Sequence, residues 1–353
     1  MKKITLITTF LVLITHLFAQ EPAITDTSAT LVAAQGQEAE TFYNQGIEEF
    51  KMKNYQGAVE NFDKAIAING EFAKAYFNRG VVKTELNQND KALEDFDKAL
   101  EIDSKMGIAY FSRALLKFNK NEFSQANTDL KSAISSSYED SKVYYYLGIT
   151  YFQSDNYKEA EDCFTKSINF DSNFAFAYND RASTKRQQND LAGAISDYKT
   201  AIEKNGNIAL IYNNLGSALK QNGNYEEAVA AYEKAVALKA DYYIAYNNMG
   251  SAYFQMNNYE KAAENFKKAS QLKPDYAFAY NNLATVLLKL EKYQEAAQIL
   301  DKAIELDPNY GFAYFNRGSA KEMLRLPKEA CADWKKALEL GVKTAESLMQ
   351  DCN

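Results

Sequence analysis

"AYNNMGSAY", Ala245–Tyr253, sets two adjacent asparagines in a run whose other residues suit a helix. Asn is a weak helix former, because its side chain competes for backbone hydrogen bonds. Related stretches recur: "IYNNLGSAL" begins at Ile211, "AYNNLATVL" at Ala279 and the near copy "AYNDRASTK" at Ala177, neighbours standing 34 residues apart. A fixed period of that size marks a tandem array of small structural units. Counting in blocks of 34 from Ala39 fills the chain to Thr344 with nine units and no slip of frame.

The spacing inside a unit predicts two helices. The fourth position is always aromatic, from Phe42, Tyr76 and Tyr110 to Tyr314, and the eighth is always Gly or Ala. The twentieth is Ala throughout, the twenty-seventh is Ala except for Ser167, and the twenty-fourth is large, from Phe62 to Trp334. At 100° per residue, positions four, eight and eleven fall within about 60° of one another on one helix face. The small eighth residue lets a second helix approach, and large side chains then pack into small gaps twice per unit. A short polar turn such as "KQNGNYEEA", Lys220–Ala228, separates the helices, and Pro274 and Pro308 end the second helix in "KPDY" and "DPNY".

These units resemble tetratricopeptide repeats, in which an aromatic, a Leu-Gly pair, Ala, a second aromatic, Ala and Pro recur at these offsets. Tyr stands here where the family usually has Trp, and Pro closes only units seven and eight. The resemblance implies an all-α fold, an α-solenoid of stacked helix-turn-helix repeats with a right-handed superhelix and a concave groove. It also implies a protein or extended-peptide partner held in that groove. The domain reading is a signal peptide over 1–20, a flexible lead-in over 21–38, repeats over 39–344 and a C-terminal capping helix over 345–353.

Bulk properties narrow the function. The formal charge is −7 and no long Lys/Arg run occurs, which argues against a sequence-independent grip on nucleic acid. Lys2 and Lys3, an apolar run from Ile4 to Phe18 and then "AQEPAITDTSAT" follow the layout of a secretory signal peptide. The run is short for a membrane span; an uncleaved anchor is the alternative. The expected location is periplasmic or secreted, with no membrane insertion after signal removal. The single His, His16, lies in that leader, so Ser–His and Cys–His catalytic machinery is not expected. No Gly-rich phosphate loop appears, and three Cys without a mature His give poor zinc spacing. The chain therefore reads as a non-enzymatic scaffold with no cofactor and no metal. A self-assembling structural protein, or an accessory subunit of a secretion or surface-polymer machine, is the alternative.

Four units share a charge signature. Arg79, Arg113, Arg181 and Arg317 take position seven; Asp95, Asp129, Asp197 and Asp333 take position twenty-three; Lys83, Lys117, Lys185 and Lys321 take position eleven. In a hairpin bending near position fifteen, seven and twenty-three face each other. The pattern predicts structural Arg–Asp bridges with Lys one turn along.

Positions two, five, six, nine, twelve and thirteen cluster opposite the aromatic of position four and are expected to line the groove. The first half is aromatic there, with Tyr43, Phe77, Phe111 and Tyr145 at position five. Later units carry amides: Asn179, Asn213, Asn247 and Asn281 at position five, then Asn214, Asn248, Asn282 and Asn316 at position six, with Ser or Thr at nine. A side-chain amide has donors and an acceptor for a peptide backbone, and the strip resembles the asparagine ladder in the repeats of the protein N-acetylglucosamine transferase. Two roles remain open for it: binding an extended peptide, or bonding neighbouring helices. The family's carboxylate clamp is not expected, since position five is never Lys and position six never Arg. Cys331 and Cys352 flank a bend near Gly341 and are either a disulfide, as an oxidising compartment permits, or two small apolar residues. Cys163 reads as filler.

Overall fold

The structure is a computed structural model and describes residues 30–352. The expected signal peptide and residues 21–29 of the lead-in lie outside the described residues. Within them the chain is helical and falls into two compact units, one up to Ser172 and one from Asn173. The first holds α1 (Thr30–Lys51), α2 (Tyr55–Ile68), α3 (Ala73–Glu85), α4 (Asn89–Ile102), α5 (Gly107–Asn119), α6 (Phe123–Ser135), α7 (Ser141–Gln153) and α8 (Tyr157–Phe170). The second holds α9 (Ala175–Gln187), α10 (Leu191–Lys204), α11 (Ala209–Gln221), α12 (Tyr225–Leu238) and α13 (Tyr243–Gln255). It continues with α14 (Tyr259–Leu272), α15 (Ala277–Lys289), α16 (Tyr293–Leu306), α17 (Gly311–Met323) and α18 (Pro327–Glu339), and closes on a 3-10 helix, Lys343–Asp351. Each odd-numbered helix packs on the even one that follows, and each such pair packs on the next within its unit.

Two expectations need correction. The segment read as a flexible lead-in is already helical from Thr30, because α1 runs on ahead of Ala39. The C-terminal cap is a 3-10 helix and not an α-helix, and it starts at Lys343. It folds Val342 and Ala345 onto Trp334 and Ala337, which a tighter turn brings within reach.

Every pair bends at one place. Position fifteen has positive φ at Lys53, Asn87, Asn121, Asp155, Asn189, Gly223, Asn257, Glu291 and Arg325. A left-handed residue there stops the first helix and turns the chain back. The next residue caps the second helix, and there Asn54, Asp190 and Asn258 accept from the backbone N–H groups of Gly57, Gly193 and Lys261. Repeats three and nine leave their second helix by a different route. Ser137 and Gly341 have positive φ at position thirty-one, so α6 and α18 end early.

The ring at position twenty-four lies over the glycine at position eight of its own repeat. A Cβ built on Gly46, Gly148 or Gly216 would stand 2.7 Å from the ring of Phe62, Phe164 or Tyr232. At Ala114 and Ala284, position twenty-four shrinks to Leu130 and Leu300, whereas Ala182 keeps the large Tyr198. The buried stripe of the first helix is centred differently from the expected one. Position three, with Ala75, Val143, Ile211 and Ala279, is sealed, as is position ten with Val82, Thr184, Ala218 and Val286. Position four is mostly half-buried. Each first helix touches its own partner, the preceding repeat and the neighbouring first helices, so its buried arc is wider than a two-helix wheel foresees.

Candidate functional site

Position five is a seam between successive first helices, and this corrects the expectation that it lines an open groove. Asn179, Asn213, Asn247 and Asn281 are only 0%, 3%, 8% and 6% exposed. Each side-chain carbonyl accepts from the position-six amide of the next repeat: Asn214 to Asn179 at 3.1 Å, Asn248 to Asn213 at 3.0 Å, Asn282 to Asn247 at 3.0 Å and Asn316 to Asn281 at 2.9 Å. The step is one repeat plus one residue. Neighbouring helices close over position five, and a buried amide must be paired.

The first unit uses the same step with other chemistry. Asn78 donates to the Tyr43 hydroxyl at 2.8 Å, and Phe111 packs on Tyr146 with ring centroids 6.3 Å apart. Tyr145 lies against Phe164 and Phe77 against Phe96. These four aromatics, expected in the groove, belong mainly to the packing between helices.

The amides are not used up equally. Asn179 Nδ2 donates to Asp180 at 2.8 Å, which consumes both ends. Asn213 reaches Asn214 only at 3.5 Å. Asn247 and Asn281 donate to nothing among the described residues, yet their Nδ2 atoms are not sealed: the one sealed side-chain donor without a partner is Trp334 Nε1. The Oδ1 atoms of Asn248, Asn282 and Asn316 are likewise unbonded. One end of each amide holds the stack, and across repeats seven to nine the other end is open. An open donor at position five and an open acceptor at position six complement a peptide carbonyl and N–H.

The half-exposed neighbours complete this face. Ser183, Ser217 and Thr285 lie at position nine, each donating to the carbonyl four residues back. Large apolar side chains stand at position two, where Phe278 is 49% and Phe312 57% exposed. Rings of Tyr243, Tyr276, Phe278 and Tyr310 follow one another at centroid distances of 5.0, 5.6 and 4.9 Å.

All four Arg–Asp pairs lie in contact. Arg79 holds Asp95 through Nε at 3.0 Å and Nη2 at 2.6 Å, with Lys83 on the same carboxylate at 2.7 Å. Arg113 with Asp129, Arg181 with Asp197 and Arg317 with Asp333 repeat the fork, each with its Lys at 2.8 Å. A further acid was missed from sequence. Asp63, Asp97 and Asp301, on the second helix of the preceding repeat, take Nη1 of Arg79, Arg113 and Arg317 at 2.5, 2.6 and 2.7 Å. The signal was present as two acids, 16 residues before and 16 after each of these Arg. Burial by itself would make the Arg79 guanidinium easier to deprotonate, but Asp95 and Asp63 reverse this and raise its pKa. The Arg also lies over the position-four ring, 5.3 Å from Tyr76 and 5.5 Å from Tyr110. These clusters join three helices and are structural.

Cys331 and Cys352 are bridged, with Cα atoms 5.6 Å apart. Cys163 is buried and free. Burial, then the charge of Asp162, pushes its thiol up to about 12. No group of three or more metal-binding side chains occurs among the described residues, and no helix there is long and apolar enough to cross a membrane.

Known proteins place this architecture. Models described as tetratricopeptide repeat match residues 73–106 and 141–174, and 207–275 and 241–309; a TPR repeat model matches 182–223. No curated protein matches significantly. Among solved structures, YrrB, "a TPR protein with an unusual peptide-binding site", is similar at 26% identity and a TM-score of 0.50, covering 53% of this chain and 97% of its own. PilF of Pseudomonas aeruginosa shares the fold at 21% identity and 0.53, over 60% of this chain and 97% of its own. The C-terminal part of a TPR repeat-containing protein from Cytophaga hutchinsonii does so at 19% and 0.54, over 67% and 98%. With the helix pairs, the ring-over-glycine contact and the family matches in register, the chain belongs to the tetratricopeptide-repeat family.

Proposed function

We propose that the chain is an exported, non-enzymatic scaffold of nine repeats that holds an extended polypeptide along the first helices of its second unit. The observation that carries this is the half-used amide seam. Asn247 and Asn281 keep an open donor, and Asn248, Asn282 and Asn316 an open acceptor, beside exposed apolar side chains at position two. Backbone pairing would supply affinity and the apolar side chains selectivity. YrrB, similar over much of its length, is a TPR protein with a peptide-binding site. The bridged Cys331 and Cys352 suit an oxidising compartment and so favour export through residues 1–20. A non-enzymatic role is supported by the only free cysteine among the described residues, Cys163, being buried with a thiol protonated at neutral pH.

The decisive variant is Asn247→Asp with Asn281→Asp. Each Asp keeps the acceptor that Asn282 or Asn316 needs but loses the open donor. The expected result is a lowered melting temperature, from two carboxylates placed in a nearly buried seam, with the helical fold kept at room temperature and loss of partners captured from an envelope fraction. Capture of the same partners by both proteins would sink the amide grip. Export is checked by fractionation and by sequencing the mature amino terminus, expected near Gln20. The half-buried ring run from Tyr243 to Tyr310, with Phe278 and Phe312 exposed, favours self-association as a second reading. A concentration-dependent mass in light scattering, lost in Phe278→Ser/Phe312→Ser, would support it.

A further inference from the structure

Repeats five and six differ from the rest in two ways at once. Position twelve is a cation only there, as Arg186 and Lys220, and position twenty-four is Tyr only there, as Tyr198 and Tyr232. Both features meet on the open face. Tyr198 and Tyr232 are fully buried, and their hydroxyls lie beneath that face, at 2.8 Å from Ser183 Oγ and 3.3 Å from Ser217 Oγ. Lys220 sends its ammonium across to Ser251 Oγ of repeat seven at 3.1 Å, a neutral partner. Arg186 makes no hydrogen bond or ion pair among the described residues.

That is anomalous in this chain. The half-buried cations of positions seven and eleven are matched to acids: Arg79 and Lys83 to Asp95, Arg113 and Lys117 to Asp129, Arg317 and Lys321 to Asp333. The Arg186 charge acts on Lys220, and no carboxylate is among the groups that do. Asp180 and Asp197 approach Tyr198 from α9 and α10, but Asp197 is held by Arg181 and Lys185. Burial, then the Arg186 charge, lowers the Lys220 pKa, and no acid offsets either. Both cations lie in the last turn of their helices, where the helix dipole favours positive charge. That attraction does not require burial, or two cations side by side.

The geometry points to an oxyanion site. Arg186 supplies a planar fork and Lys220 a point charge, with the Ser251 hydroxyl beside the ammonium. It would take a carboxylate or phosphate group carried by the bound polypeptide, such as Glu, Asp or a phosphorylated Ser. Charge-assisted bonds of this kind are strong in a partly desolvated face. The site gives the otherwise sequence-tolerant amide strip a fixed register, since an acidic residue would be set about two repeats ahead of the Asn281–Asn316 step. The peptide part of this inference rests on the groove function proposed above; the anion site itself does not.

Two measurements separate them. The first compares melting of wild type and Arg186→Gln/Lys220→Gln in sodium phosphate, sodium acetate and sodium chloride at equal ionic strength. Wild type should melt higher in phosphate or acetate than in chloride, and the variant should lose that difference. An equal gain in both proteins, or none in wild type, overturns the site. Phosphate exceeding acetate identifies a phosphoryl ligand, and the reverse a carboxylate. The second titrates extended decapeptides identical except for a central Glu, phosphoserine or Gln. The charged forms should bind wild type about tenfold more tightly than the Gln form, with the preference lost in the variant and largely kept in Lys220→Arg. Peptides that bind with no preference for charge overturn the site while leaving the groove intact. A retained anion effect with no peptide binding upholds the site and removes the groove.

Discussion

Asp129 receives Arg113 through two nitrogens and Lys117 through a third, and only 4% of its side chain is exposed. Its value lies less in attraction than in the cost of removing it. Asp129→Ala leaves two cations half-buried, with Asp97 still answering one of them, and is expected to cost about 3–5 kcal/mol in urea unfolding. Arg113→Met/Lys117→Met/Asp129→Leu should recover most of that loss, because no charge is then stranded. A small effect of Asp129→Ala would show that water reaches the cluster. The same residue-scale rule explains the amide seam. The sequence displayed paired Asn and left two roles open for them; the 35-residue step between Asn213 and Asn248 shows one amide end consumed by the stack.

At the scale of the helix pair, two contacts set the geometry. Gly216 meets the Tyr232 ring where a Cβ would stand at 2.7 Å. Gly216→Ala therefore forces the ring or the helix to move, a shift that repeat five accommodates with Ala182 and Tyr198, and should cost about 1 kcal/mol. Adding Tyr232→Leu should restore much of it, since Ala with Leu is the pairing that repeats three and eight already use; no rescue would mean the helix itself cannot shift. The bend is the second contact. Glu291 has φ of 58° at position fifteen, where Gly223 stands in repeat six at 85°. A side chain in that region is strained by about 1–2 kcal/mol, and Gly costs about 0.5–1 kcal/mol in unfolded-state entropy. Glu291→Gly is thus expected to raise the melting temperature slightly. A fall would show that the Glu291 side chain contributes more than its backbone strain.

At the scale of the molecule, each repeat touches mainly its neighbours, so stability is close to a sum of local terms. The C-terminal end has one neighbour only, and the Cys331–Cys352 bridge closes a 21-residue span there. Cys331→Ser should cost about 3 kcal/mol by chain-entropy arithmetic, concentrated in the last repeat. Hydrogen exchange should speed up at the Val342 and Cys352 amides, which donate to Ala337 and Met349, and stay unchanged in α11. Uniform acceleration along the chain would contradict local coupling.

The repeat length, the helix pairs, the bend at position fifteen and the Arg–Asp partners were legible in the chain alone. Each depends on contacts inside one 34-residue unit, and a periodic sequence prints such contacts again and again along the chain. The small residue at position eight and the large one at position twenty-four were legible too, being a volume rule between two positions of the same hairpin. What the sequence could not decide was the fate of positions five and six and the third acid of each Arg cluster. Asn247 is half spent on Asn282, and Asp301 reaches forward to Arg317. Those contacts join one repeat to the next, and the offset between stacked hairpins follows from how their surfaces interlock, which is a property of packing in three dimensions.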